Sequence, residues 1–188
     1  MPPVYGRAVT RTAALLGLIL LCACGGDDPA PNPAPTAAER TFTAPSDVMA
    51  PSIRKGDTVA CTAGPPERVE RGDVVLFEAD ISEWPAESGS TSHLRRVVGL
   101  PGEAVYGDKL GVFVNGARLA EPYIAHGRDT LPDFIESTVK PGEYLVLGDT
   151  RSPVEDSRVY GNVAHAKLLG TCTSIVAPDE RKGPIPGT

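Results

Sequence analysis

The chain has 188 residues, enough for one domain plus appendages. Hydrophobic residues make up 41%, which supplies a core but does not suit a polytopic membrane protein, and 20 Gly with 19 Pro favour turns and short strands over long helices. A formal net charge of -6 with no Lys/Arg run speaks against a nucleic-acid partner, because phosphates would be repelled.

At the N-terminus, Arg7 and Arg11 form a small basic region ahead of an apolar run, Ala13 to Ala23. At ~1.5 Å rise per residue this run spans about 16 Å, short of a ~30 Å hydrocarbon core. It ends in Leu21-Cys22-Ala23-Cys24, followed by Gly25-Gly26-Asp27-Asp28. The pattern is similar to a bacterial lipobox. It predicts a lipoprotein signal peptide over 1–23, attachment to the membrane through lipid on Cys24, and a place on the extracytoplasmic (periplasmic) side of the cell envelope. The alternative is an ordinary signal peptide or an N-terminal anchor helix with incidental cysteines. Residues 24–41 are Pro/Ala-rich and lack an apolar period. They read as a tether reaching on the order of 50 Å in polyproline II form.

From Phe42 onward the signals are strands and turns. Thr58 to Thr62 follows Gly56-Asp57, and Val74 to Phe77 follows Gly72-Asp73. Leu94 to Val98 ends at Gly99-Leu100-Pro101-Gly102. Val112 to Val114 precedes Asn115-Gly116, a strong hairpin signal. Tyr144 to Leu147 lies between Pro141-Gly142 and Gly148-Asp149, and Leu168 to Val176 closes the series. No stretch carries a sustained helical period with caps. Residues 78–92 and 125–138 read as irregular. The expected architecture is a single all-β domain over 42–177, mainly antiparallel, with a loose tail over 178–188.

Cys61 and Cys172 remain once Cys22 leaves with the signal peptide and Cys24 is lipidated. In an oxidising compartment they are candidates for a disulfide; the alternative is two buried free thiols on neighbouring strands. His93, His126 and His165 have no metal-ligand spacing, so neither a metal site nor any other cofactor is expected.

Four segments carry a further pattern. The first is Pro45-Ser46-Asp47-Val48-Met49-Ala50-Pro51-Ser52 with Gly56-Asp57. The second is Arg71-Gly72-Asp73-Val74-Val75. The third is Leu94-Arg95-Arg96-Val97-Val98-Gly99-Leu100-Pro101-Gly102. The fourth is Gly148-Asp149-Thr150-Arg151, then Asp156-Ser157-Arg158. Any one box is weak, but the four in order resemble bacterial signal peptidase I, a serine peptidase family, from about Phe42 to Val176. The resemblance implies a β-rich signal peptidase fold.

The active members of that family use a Ser–Lys dyad. The serine hydroxyl must lose its proton as it attacks a carbonyl, and a neutral lysine takes it. Position by position, the nucleophile's place is held here by Val48, the base's by Arg95 and the orienting serine's by Val154; Ser46, at the oxyanion position, is retained. Valine carries no nucleophile, and arginine stays charged because its pKa exceeds ~12. By the same resemblance, Arg96, Asp149, Asp156 and Arg158 tie the loops together by charge-assisted hydrogen bonds; solvated turn charges are the bland alternative.

The leading expectation is therefore a catalytically inactive relative. It would bind extended peptides or signal sequences in a groove walled by Phe42 to Met49 and Leu94 to Val97, with Ala44, Met49, Ile53 and Leu94 lining pockets. A second expectation is an active peptidase with Ser46 as relocated nucleophile. A third is a structural envelope lipoprotein with the groove unused.

Overall fold

The computed structural model describes residues 39–79, 91–124, 134–152 and 156–188. The signal segment, Cys24, His126 and Val154 lie outside the described residues. The compact unit runs from Thr36 to Thr188. Among the described residues no helix is long and apolar enough to cross a membrane.

Among the described residues, twelve strands build two sheets. They are β1 Glu39–Thr43, β2 Thr58–Thr62, β3 Val74–Glu78, β4 Ser92–Gly99, β5 Ala104–Asp108, β6 Gly111–Val114, β7 Ala117–Arg118, β8 Phe134–Thr138, β9 Glu143–Leu147, β10 Val163–Ala164, β11 Leu168–Ala177 and β12 Gly183–Pro184. The larger sheet has the order β1-β2-β11-β3-β4-β9-β10, with β12 added to β11. The smaller has the order β7-β6-β5-β8. Every pairing is antiparallel. The all-β reading holds, and the six strands legible in the sequence are β2, β3, β4, β6, β9 and β11.

The middle of the larger sheet is buried on both faces. On β3, Val74 and Leu76 join one apolar cluster while Val75 and Phe77 join another. An uninterrupted apolar run is what a strand covered on both sides needs. A third cluster, with Val98, Val105, Val139 and Leu145, joins the two sheets. Gly99 marks the junction: a Cβ there would stand 2.8 Å from Val105 and 3.0 Å from Leu145 and Val139. The β6–β7 hairpin turns on Asn115 and Gly116 at φ 51° and 80°, the left-handed pair that an Asn-Gly turn supplies.

Three expectations need correction. Residues 134–138 are not irregular but form β8, which pairs with β5. The absence of a sustained helix agrees with the described residues, whose one α-helical turn, α1 Ser157–Tyr160, is capped by the Asp156 carboxylate accepting from the Arg158 N–H. The segment 178–188 is not loose. Its β12 pairs with β11, Ile185 is 1% exposed in the first cluster, and Arg181 donates twice to Asp57 at 2.8 and 2.9 Å. Apolar burial and an ion pair formed across 124 residues outweigh its turn-prone composition. At the other end, β1 begins at Glu39, inside the expected tether.

Cys61 and Cys172 are bonded, with Cα atoms 3.9 Å apart and a sequence separation of 111. They face each other across the β2–β11 ladder.

Candidate functional site

The first box is a compact series of turns between β1 and β2. Ala44 and the Gly56-Asp57 turn exchange backbone hydrogen bonds, Ala44 N–H to Asp57 at 2.8 Å and Gly56 N–H to Ala44 at 2.9 Å. The Asp57 carboxylate accepts from the Arg54 N–H at 2.8 Å, and Asp47 accepts from the Lys55 N–H at 2.9 Å. These bonds hold Ser46 to Ile53 in place. The Ser46 hydroxyl accepts from the Val48 N–H at 3.5 Å.

Val48 is pinned to the fourth box. Its carbonyl accepts from both the N–H and the hydroxyl of Thr150, each at 3.1 Å. A Cβ on Gly148 would stand 2.9 Å from the Val48 Cγ2 and 2.8 Å from its carbonyl oxygen. Val48 thus fills the space that a side chain at 148 would take. The β4–β9 ladder runs Val97↔Val146 and Arg96↔Leu147, so one step further brings Gly148 beside Arg95. Residues opposite each other in an antiparallel ladder point to the same face. By the same rule Arg95, opposite Val75, lies on the face of the second cluster, whereas Val48 packs in the first cluster with Leu76 and Leu94.

The chemistry of these two residues is not a dyad's. Arg95 is fully buried, and its Nη1 donates to the Leu94 carbonyl at 2.6 Å. Val48 has no polar side-chain atom. The chain has five lysines, Lys55, Lys109, Lys140, Lys167 and Lys182, and every one is exposed. A lysine becomes a neutral base near pH 7 when burial lowers its pKa; none here has that environment.

The retained charges form two buried clamps. Arg96 is fully buried and meets Asp149 through Nε at 2.9 Å and Nη2 at 2.8 Å. It also donates to the carbonyls of Gly72 at 2.7 Å and Pro186 at 2.9 Å, and lies 4.0 Å over the Tyr123 ring. One guanidinium thereby joins the second, third and fourth boxes and the C-terminal segment. In the other clamp, Arg158 meets Asp156 at 2.8 and 2.7 Å, and Asp156 accepts from the Gly148 N–H at 3.1 Å. The solvated-turn alternative does not describe these four residues, because all four side chains are at most 3% exposed.

Sequence reasoning missed three further pairs. Arg151, at φ 62°, contacts Glu121, which also accepts from the Tyr123 hydroxyl at 2.8 Å. Burial and then the Glu121 charge push the Tyr123 phenol well above its ordinary range. Arg181–Asp57 and Arg71–Glu103 are the others. All three close across long separations, and charged turn residues carry no local signal of such partners.

The four groove candidates come together but face inward. Ala44, Met49, Ile53 and Leu94 are at most 4% exposed and share one cluster with Ile185. One strand edge near them is open among the described residues, that of β1, which pairs only with β2. Phe42, Pro45 and Ala50 are the half-buried residues on this wall.

Residues 35–177 match the family model described as Signal peptidase, peptidase S26. The chain belongs to this family. It is 33% identical over 162 residues to a probable signal peptidase I-2 of Synechocystis, covering 77% of this chain and 68% of the relative. It is 32% identical over 119 residues to a signal peptidase I of Bacillus amyloliquefaciens, covering 58% of each. With signal peptidase IB of Staphylococcus aureus it shares 28% over 151 residues, 69% of this chain and 73% of the relative. Among solved structures, a signal peptidase I from Enterococcus faecalis V583 is 29% identical, with TM-score 0.44 over 56% of this chain and 97% of that one.

Proposed function

We propose that this signal peptidase I-like chain is a lipid-anchored envelope protein that binds extended peptides and does not cleave them. The observation that supports the reading is that the two dyad positions hold Val48 and a buried Arg95 in a chain whose five lysines are all exposed. Such a site offers no nucleophile at its centre and no group able to accept a proton from one. Ser46 keeps a hydroxyl, but every lysine that could serve as its base is on the surface. The open edge of β1 supplies main-chain donors and acceptors to an extended ligand, which needs no chemistry to be held.

The test incubates the full chain in detergent with a signal-peptide substrate and follows both cleavage and binding. Wild type is expected to bind without turnover. Val48→Ser and Arg95→Lys singly should stay inactive, because each restores half of a dyad, and only the triple change with Val154→Ser has the parts for slow cleavage. Wild-type turnover that disappears on Ser46→Ala would overturn the reading in favour of a relocated nucleophile. Absence of peptide binding would leave a structural role. Lipid anchoring is tested apart from this: Cys24→Ser should move the protein out of the membrane fraction, and its retention there would refute the anchor.

A further inference from the structure

A cavity of about 530 Å³ opens beside the start of β9. Its volume lies within the roughly 300–1,000 Å³ of small-ligand sites. Its walls come from β8, the start of β9 and α1 with the residues just after it. Phe134 and Leu145 supply apolar surface. Ser137, Thr138 and Asn162 supply neutral polar groups, and Lys140, Glu143 and Arg158 supply charge.

Arg158 carries the argument. Its side chain is 3% exposed. Nε and Nη2 are engaged with Asp156, and Nη2 also donates to the Arg151 carbonyl at 3.1 Å. Nη1 is buried and has no hydrogen-bond partner. A charged donor left without an acceptor is unfavourable, and a ligand oxygen that reaches it gains a charge-assisted hydrogen bond. Asp156 already balances the Arg158 charge, and Lys140 and Glu143 carry opposite signs. A doubly charged phosphate would therefore meet Glu143 with no surplus of positive charge, whereas a single carboxylate asks for donors rather than net charge. The cavity also borders β8, whose second edge is unpaired among the described residues. An unpaired strand edge beside a guanidinium is the arrangement that accepts the end of an extended chain.

We propose that this cavity receives the C-terminal carboxylate of an extended peptide, with Arg158 and Lys140 as its cationic donors and the β8 edge beside the peptide backbone. The site does not depend on the groove reading, and the experiment separates them. The probe is a tri-alanine peptide labelled at its N-terminus, as the free acid and as the C-terminal amide, titrated into the full chain in detergent and read by fluorescence anisotropy. The acid should bind at least tenfold more tightly than the amide. Lys140→Ala should weaken the acid at least threefold, and Ser137→Trp, which fills the cavity from an exposed position, should abolish its binding. Phe42→Ala, on the groove wall, should leave it unchanged. Equal binding of acid and amide would overturn the proposal, as would binding that is lost with Phe42→Ala and kept with Ser137→Trp. Inorganic phosphate that displaces the peptide at equal concentration would show an oxyanion site of another kind and would equally overturn it.

Discussion

Asp149→Ala would test whether the Arg96 clamp holds the domain together. The substitution removes both carboxylate oxygens from a guanidinium that stays fully buried. Arg96 would keep the carbonyls of Gly72 and Pro186, a long contact to the Ser52 hydroxyl at 3.4 Å and the face of Tyr123. These are dipoles and a ring quadrupole, and none supplies a negative charge. Removing one partner of a buried pair costs about 3–5 kcal/mol, because the other charge is left uncompensated. The surviving acceptors place the expected loss near the lower end, about 3–4 kcal/mol. For a domain of this size each kcal/mol moves Tm by about 2–4 °C, so a fall of roughly 6–16 °C should follow. Urea unfolding of the full chain, followed by circular dichroism without reductant, gives the number. The double change Arg96→Met with Asp149→Leu is the control: it removes both charges and should cost less than Asp149→Ala alone. A loss below about 1 kcal/mol for Asp149→Ala would refute the reasoning, since water would then be reaching Arg96. So would a double variant that loses the sum of the two singles.

Three other outcomes are expected. Ile185→Ala should cost about 2–5 kcal/mol, as a buried core deletion does, and a change under ~0.5 kcal/mol in the same urea assay would mean that the C-terminal segment is undocked. Replacing Cys61 and Cys172 together by Ala removes a cross-link over 111 residues and should lower stability by about 2–5 kcal/mol; wild type, unlike the variant, should respond to reductant. Burial alone would raise the Glu103 carboxyl, but hydrogen bonds from Arg71 and the Leu100 N–H outweigh it and hold the group below its ordinary value. Its folded pKa being depressed, the stability it contributes is present above the unfolded pKa of about 4.3 and is lost as pH falls through the folded value. The gap between wild type and Glu103→Gln should therefore be open at pH 7 and close in acid, and a gap that stays constant down to about pH 2 would refute that sign.

The sequence was most readable where apolar runs are bounded by turn residues. Val74 to Phe77 and Tyr144 to Leu147 announce β3 and β9 because both faces of the larger sheet are covered there. β8 escaped because Phe134 to Thr138 has little apolar content, and its place is set by packing: a Cβ on Gly107 would stand 2.1 Å from the Phe134 ring. The C-terminal segment escaped for a similar reason, since its partners, Asp57, Thr173 and Arg96, lie in other boxes and strands. At the site, the resemblance singled out Arg96, Asp149, Asp156 and Arg158 without their partners, and the fold pairs them as Arg96–Asp149 and Asp156–Arg158. It did not foretell that Ala44, Met49, Ile53 and Leu94 would pack closed. Burial of that kind depends on a residue such as Ile185, more than 90 positions away in sequence from each of them.

The place of β11 bears on how the chain is made. Leu168–Ala177 fills the gap between β2 and β3, so the middle of the larger sheet is supplied by a strand synthesised well after both of its neighbours. Until it arrives, β1–β2 and β3–β4 are two unjoined pairs, each with an edge that is interior in the finished fold. Pairings this distant in sequence form slowly, and unpaired apolar edges invite association with other chains. A product that stops short of about residue 168 is thus the species most prone to aggregate.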